Sequence, residues 1–166
     1  RWAAEHHACR NEVIAMDMSF MSKFRVQGRD AGAVLERLSA NRVAAEPGLI
    51  TYTQWLNERG TIEADLTVAM LGPEEFLVVA TDTAHRHVQA RLARQCADHH
   101  AFVTDVTSGL AQLNVQGPRS RELLQSVTSV ELSNEAFPFR TARSIDIGFA
   151  TVLCVRITYP GELGYE

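Results

Sequence analysis

A chain of 166 residues with 46% apolar composition can bury one sizeable core and falls short of two full domains. A formal charge of −4 leaves no basic stripe for nucleic acid, no apolar run is long enough to span a bilayer, and Arg1-Trp-Ala-Ala-Glu-His-His resembles neither a signal nor a transit peptide. Cys9, Cys96 and Cys154 form no Cys-x-x-Cys pair, which argues against a disulfide framework or thiolate metal site and fits a reducing compartment.

Trp2 to about Ala15 carries Ala, Glu and Arg at helical spacing, and Asp17-Met-Ser breaks that pattern before the strand Lys23-Phe-Arg-Val-Gln-Gly28. Asp30 stands where an N-cap should, ahead of a short helix with a Val34/Leu35/Leu38 face. Leu49 to Asn57 reads as a strand, Asn57-Glu-Arg-Gly60 as a hairpin turn and Asp65 to Leu71 as the returning strand, closed by Gly72-Pro73. Phe76-Leu-Val-Val-Ala80 is a short buried strand, and Asp82 or Thr83 caps a helix whose Ala84, Val88, Leu92 and Cys96 share one side. The spacing then predicts a second hairpin, Ala101 to Thr107 and Ala111 to Gln116 joined by Ser108-Gly109. Pro118 follows at the first position of a helix containing Leu123, Leu124 and Val127. Ser144 to Ile147 and Thr151 to Tyr159 pair around Gly148. The order implies an α+β chain of two related strand-and-helix halves, the second starting near Asp105 and cut off at Glu166, so an excised fragment is expected.

Strand alternation puts Asp65, Thr67 and Ala69 on one face and Leu66, Val68 and Met70 on the other. Asp65 at the start of its strand either lines a cleft or caps the hairpin. Tyr159-Pro-Gly-Glu-Leu-Gly-Tyr-Glu166 reads as a tight turn with Glu162 solvated; Glu166 is either solvated too or a bidentate acceptor for a guanidine-like edge. On pattern alone Met21 and Tyr52 belong to the core. His6-His7 and His99-His100 diverge in either regular structure, so no metal is expected. Gln116-Gly-Pro-Arg lacks the glycines of a phosphate-binding loop, and no Ser/His/Asp arrangement has local support.

Taken together, several stretches resemble the folate-binding domain of the glycine-cleavage aminomethyltransferase family. They are Glu5-His-His-Ala-Cys-Arg10, Asp17 to Phe24, Val26-Gln-Gly-Arg-Asp-Ala31, Leu56 to Val68, Val115-Gln-Gly-Pro118, Leu132-Ser-Asn-Glu-Ala-Phe-Pro-Phe139 and Tyr159 to Glu166. The Leu132–Phe139 stretch is closest to the version fused behind a flavin domain in sarcosine and dimethylglycine dehydrogenases. Residues 1–166 are then the N-terminal portion of an aminomethyltransferase-type folate-binding domain, truncated at its C-terminus.

The resemblance implies that tetrahydrofolate captures a one-carbon unit as 5,10-methylenetetrahydrofolate. FAD in the missing upstream domain of the same polypeptide would oxidise an N-methyl amine. It assigns the catalytic aspartate to Asp65, with Thr67 orienting it, pterin contacts to Tyr159 and Glu166, and further contacts to Tyr52 and Met21. Asp65, Tyr159 and Glu166 are expected around one concave surface. Thr61 departs from the family's second glycine and Thr81 from an asparagine ligand. Implied partners are folate and the flavin domain, with neither nucleic acid nor membrane; the implied compartment is bacterial cytoplasm or mitochondrial matrix. The alternatives are the glycine-cleavage transferase itself and a folate-binding accessory protein for iron–sulfur proteins, whose relatives carry a cysteine where Tyr-Pro-Gly-Glu stands here.

Overall fold

A computed structural model describes residues 1–166, which divide into two compact units: Ser19–Ala111, and Arg1–Met18 together with Gln112–Glu166. The α+β class expected from the element order holds. No helix is long and apolar enough to cross a membrane.

Helix α1 (Trp2–Asn11) stops short of Ala15, and Ile14–Asp17 form strand β1 instead. The β-branched pair Val13-Ile14 favours extended backbone over another helical turn. The continuous unit then runs β2 (Ser22–Gln27), α2 (Ala31–Leu38), β3 (Ile50–Leu56), β4 (Ile62–Gly72), β5 (Glu75–Ala80), α3 (His85–Cys96) and β6 (Phe102–Asp105). Its strands form one antiparallel sheet in the order β3-β4-β5-β2-β6. Phe24, Val26, Val68, Phe76 and Val78 share a fully buried cluster with Val34 and Leu35 of α2 and Val88 and Leu92 of α3. Each such side chain contributes on the order of 1.5–3 kcal/mol by leaving water. Asp30 occupies the N-cap position of α2, yet its Oδ2 accepts from the His100 N–H (2.7 Å) rather than from the helix.

The remaining elements, β7 (Leu113–Gln116), α4 (Ser120–Gln125), β8 (Ala142–Ile147), β9 (Ala150–Val155) and β10 (Gly164–Tyr165), complete the discontinuous unit. It contains the sheet β1-β7-β10 and the hairpin β8-β9. Tyr165, Phe137, Leu132, Ile145 and Leu124 form its core. The Tyr165 hydroxyl donates to Leu132 O (3.0 Å), and Asn134 Oδ1 accepts from both Arg121 (2.6 Å) and Arg156 (2.7 Å). The Leu132–Phe139 stretch is therefore a structural clamp.

Three further sequence expectations change. The hairpin across Ser108-Gly109 does not form: β6 pairs with β2 in one unit and β7 with β1 in the other. A two-residue hairpin loop requires positive φ. Gly60 (φ 75°) and Gly148 (φ 58°) adopt it between paired strands, whereas Gly109 lies in a short 3-10 turn without it. The division of the chain accordingly falls at Ser19 and Gln112 rather than near Asp105. Pro118 precedes α4 instead of starting it, because Arg119, at the N-cap, donates its N–H to Glu12 O (3.1 Å).

The two units nevertheless share one local design. In each, a strand ending Val-Gln-Gly lies beside a strand that follows a helix. Gly28 and Gly117 have φ of 127° and 125°. Each donates its N–H to a carbonyl of the neighbouring segment, Glu74 O (2.9 Å) or Leu163 O (2.8 Å). Each accepts from the first residue of the next helix, Ala31 or Ser120. Asp30 and Arg119 donate to His100 O and Glu12 O, the same carbonyls against which the two glycines are packed. A side chain at either glycine would collide with that carbonyl, so the pattern demands glycine twice.

Candidate functional site

Four of the six residues singled out in the sequence lie in the continuous unit. β4 begins at Ile62, so Asp65 sits inside the strand rather than at its start. Capping of the hairpin falls instead to Asn57, whose Oδ1 accepts from the N–H groups of Arg59 (3.0 Å) and Thr61 (3.1 Å). Asp65 is exposed, while Leu66 and Val68 are buried, as alternation requires. In the β3/β4 register Tyr52 opposes Thr67 and Gln54 opposes Asp65. The Tyr52 hydroxyl reaches diagonally to donate to Asp65 Oδ2 (2.8 Å). Tyr52 is thus half exposed and tied to the aspartate, not a core residue. Met21 lies in the bend before β2, half-buried; its carbonyl accepts from the Lys23 ammonium (2.8 Å), as does Ser19 O (3.0 Å).

The other two lie in the discontinuous unit. Tyr159 is 96% exposed. Glu166 follows β10, where its N–H and C=O both pair with Val155. Its carboxylate is half-buried and accepts from Asn114 Nδ2 (2.8 Å) and Gln112 Nε2 (3.2 Å). The solvated-turn reading fails for Glu166 and also for Glu162, which pairs with Arg10 (2.5 Å). Burial pushes the Glu166 carboxyl up to about 7, and the Asn114 hydrogen bond only partly opposes that rise. The amides hold the carboxylate in place without neutralising it. Their i, i+2 spacing puts Gln112 and Asn114 on one side of an extended segment, with Gln116, whose Oε1 accepts from Thr158 (3.0 Å), continuing the series.

The structure also aligns three residues that no local motif marks. His85 Nδ1 lies 3.0 Å from Ser22 Oγ, and its Nε2 lies 3.0 Å from Asp105 Oδ2. Hydrogen bonds from Thr107, followed by the nearby His85, hold the Asp105 carboxyl below its usual range. Ser22 has no exposed surface and donates to Thr81 O (3.2 Å), so this trio is no nucleophile–base pair. It ties the starts of β2 and α3 to the end of β6. Losing these bonds in His85→Ala is expected to reduce unfolding free energy by about 1–3 kcal/mol in a urea titration. An unchanged midpoint would show that the trio contributes nothing to the fold.

The family model described as GCVT N-terminal domain matches residues 1–166. A 4-methylaminobutanoate oxidase (formaldehyde-forming) of Paenarthrobacter nicotinovorans is 37% identical over all of this chain, which spans 20% of that protein. The mitochondrial sarcosine dehydrogenase of Mus musculus is 34% identical over 96% of this chain, which spans 19% of it. The chain thus spans about a fifth of the length of these curated relatives. Among solved structures, the glycine cleavage system aminomethyltransferase T of Bartonella henselae matches 98% of this chain and 43% of its own, with a TM-score of 0.80 and 24% identity. That likeness speaks to the fold.

Proposed function

The chain belongs to the GCVT N-terminal domain family, and from that membership we propose that it binds tetrahydrofolate as the one-carbon-accepting part of a longer FAD-dependent N-methyl-amine dehydrogenase. The names of the two curated relatives, an amine oxidase and a sarcosine dehydrogenase, support the choice of chemistry. The observation that carries the folate reading is Glu166. A carboxyl that burial lifts to about 7, and that accepts only from two side-chain amides, is short of donors, and a pterin's amidine edge consists of N–H donors.

When bound, reduced folate supplies the nitrogen nucleophiles that take up a one-carbon unit. The chain's own residues bind, orient and move protons. Glu166 accepts two N–H bonds in the bidentate geometry that pairs carboxylates with guanidine-like groups. Asp65 accepts the proton lost as the second C–N bond forms. Tyr52 fixes the Asp65 carboxylate through its 2.8 Å hydrogen bond, and Thr67, opposite Tyr52, borders it on the same strand face. Tyr159 contributes to positioning.

The test is Asp65→Asn in the full-length protein. Amine oxidation is expected to stay within about twofold of the parent. Folate-dependent capture of the one-carbon unit should fall at least about 100-fold, with formaldehyde appearing instead. Undiminished capture would remove Asp65 from the reaction. Absence of any bound flavin in the full-length protein would turn the assignment to the aminomethyltransferase.

A further inference from the structure

The register of β3 and β4 slips between Trp55 and Leu56: Trp55 opposes Ala64 and Leu56 opposes Ile62, leaving Glu63 as the extra residue of a bulge. Bulges re-aim side chains. Here Glu63 turns toward α3, where it meets His87 Nε2 (2.9 Å) and Arg91 Nη1 (3.9 Å) while also accepting from Asn57 Nδ2 (2.8 Å). Arg91 is fixed a second time by donating from Nη2 to Leu56 O (2.6 Å), and its buried Nε has no partner.

Arg91, Arg94 and Gln95 from α3 and Leu56–Arg59 from the hairpin line a cleft of about 600 Å³. Glu63 is already engaged by His87, Asn57 and Arg91, whereas the guanidinium groups of Arg59 and Arg94 make no hydrogen bond or ion pair. Against Glu58 and Glu63, three guanidinium groups leave this cleft positive in a chain whose net charge is −4. One of the three is pre-oriented, and unpaired guanidinium groups present planar forks suited to oxyanions.

We propose that this cleft is a binding site for a small polyanion carrying two or more carboxylate or phosphate groups. Arg91 is the fixed anchor, and Arg59 and Arg94 close on the ligand from the hairpin and the helix. The site depends on neither Asp65 nor Glu166, so it stands or falls separately from the folate reading.

The test is calorimetric titration of the full-length protein, with any cofactor bound, using inorganic pyrophosphate and, separately, tricarballylate. Wild type and the double variant R59Q/R94Q are compared at low salt. Neither guanidinium has a partner in the fold, and the Arg59 N–H bond to Asn57 survives the substitution, so the variant's melting temperature should stay within about 2 °C of wild type. Affinity for at least one probe is expected to fall 10-fold or more in the variant, and wild-type affinity to fall with added NaCl. A stronger response to pyrophosphate identifies a phosphate ligand, and a stronger response to tricarballylate a carboxylate one. Equal binding by wild type and variant, or no binding of either probe to wild type, overturns the proposal.

Discussion

Alanine at Gly117 is expected to remove most of the protein's stability, by about 3 kcal/mol or more. The residue sits at φ 125°, where an L side chain is strained. A Cβ there would overlap Glu12 O and stand 2.9 Å from Val13 Cα and 3.1 Å from Cys9 O. These are backbone atoms at the junction of α1 and β1, so relief requires moving the element that pairs with β7. Gly60→Ala is the control: its φ is also positive (75°), but nothing lies within 4 Å, so only the conformational cost of about 1–2 kcal/mol remains. Urea unfolding followed by circular dichroism separates the two. If Gly117→Ala cost no more than Gly60→Ala, the close approach would have no energetic weight.

Glu166→Gln is expected to raise stability at pH 7.5 and above while weakening folate binding. Folding lifts this carboxyl from an ordinary 4.5 to about 7. With a folded pKa above the unfolded one, the contribution to stability is fully present below pH 4.5 and lost as pH rises through 7. The shift bounds the loss at about 3 kcal/mol, and water reaching the half-buried group reduces it. Glutamine carries no charge, so the variant's stability should be flatter between pH 4.5 and 7.5. Under the proposed function, the amidine edge of folate stabilises the ionised carboxylate. Binding below pH 7 then releases a proton, and wild-type affinity rises toward pH 7. Calorimetry in buffers of different ionisation enthalpy reads the proton directly. Proton uptake, or an unaltered pH profile in Glu166→Gln, would remove Glu166 from the binding step.

The local halves of this architecture were legible in the sequence. Alternation correctly placed Asp65 and Thr67 opposite Leu66 and Val68, and the Val34/Leu35/Leu38 and Val88/Leu92/Cys96 stripes became core faces. These patterns depend on backbone periodicity alone. Partner choice was not legible. The stretches around β6 and β7 read as neighbouring strands, and nothing in them shows that they pair with β2 and β1. The setting of Glu166 was hidden for the same reason, since its cradle comes from Gln112 and Asn114 at a separation of more than 50 residues. Tyr52 was misread as core because an aromatic residue in a strand is usually buried, and its tie to Asp65 needs the β3/β4 register to be seen.

The discontinuous layout also orders events at the ribosome. Synthesis delivers α1 and β1 ahead of every strand of the β3-β4-β5-β2-β6 sheet, and only after that sheet the β7 that β1 requires. The continuous unit can therefore close while β1 still lacks its partner, and the discontinuous unit assembles across an already ordered insert rather than a floppy one. A structured insert shortens the effective loop that β1 and β7 must close, which makes the later pairing less costly in chain entropy than their sequence separation suggests.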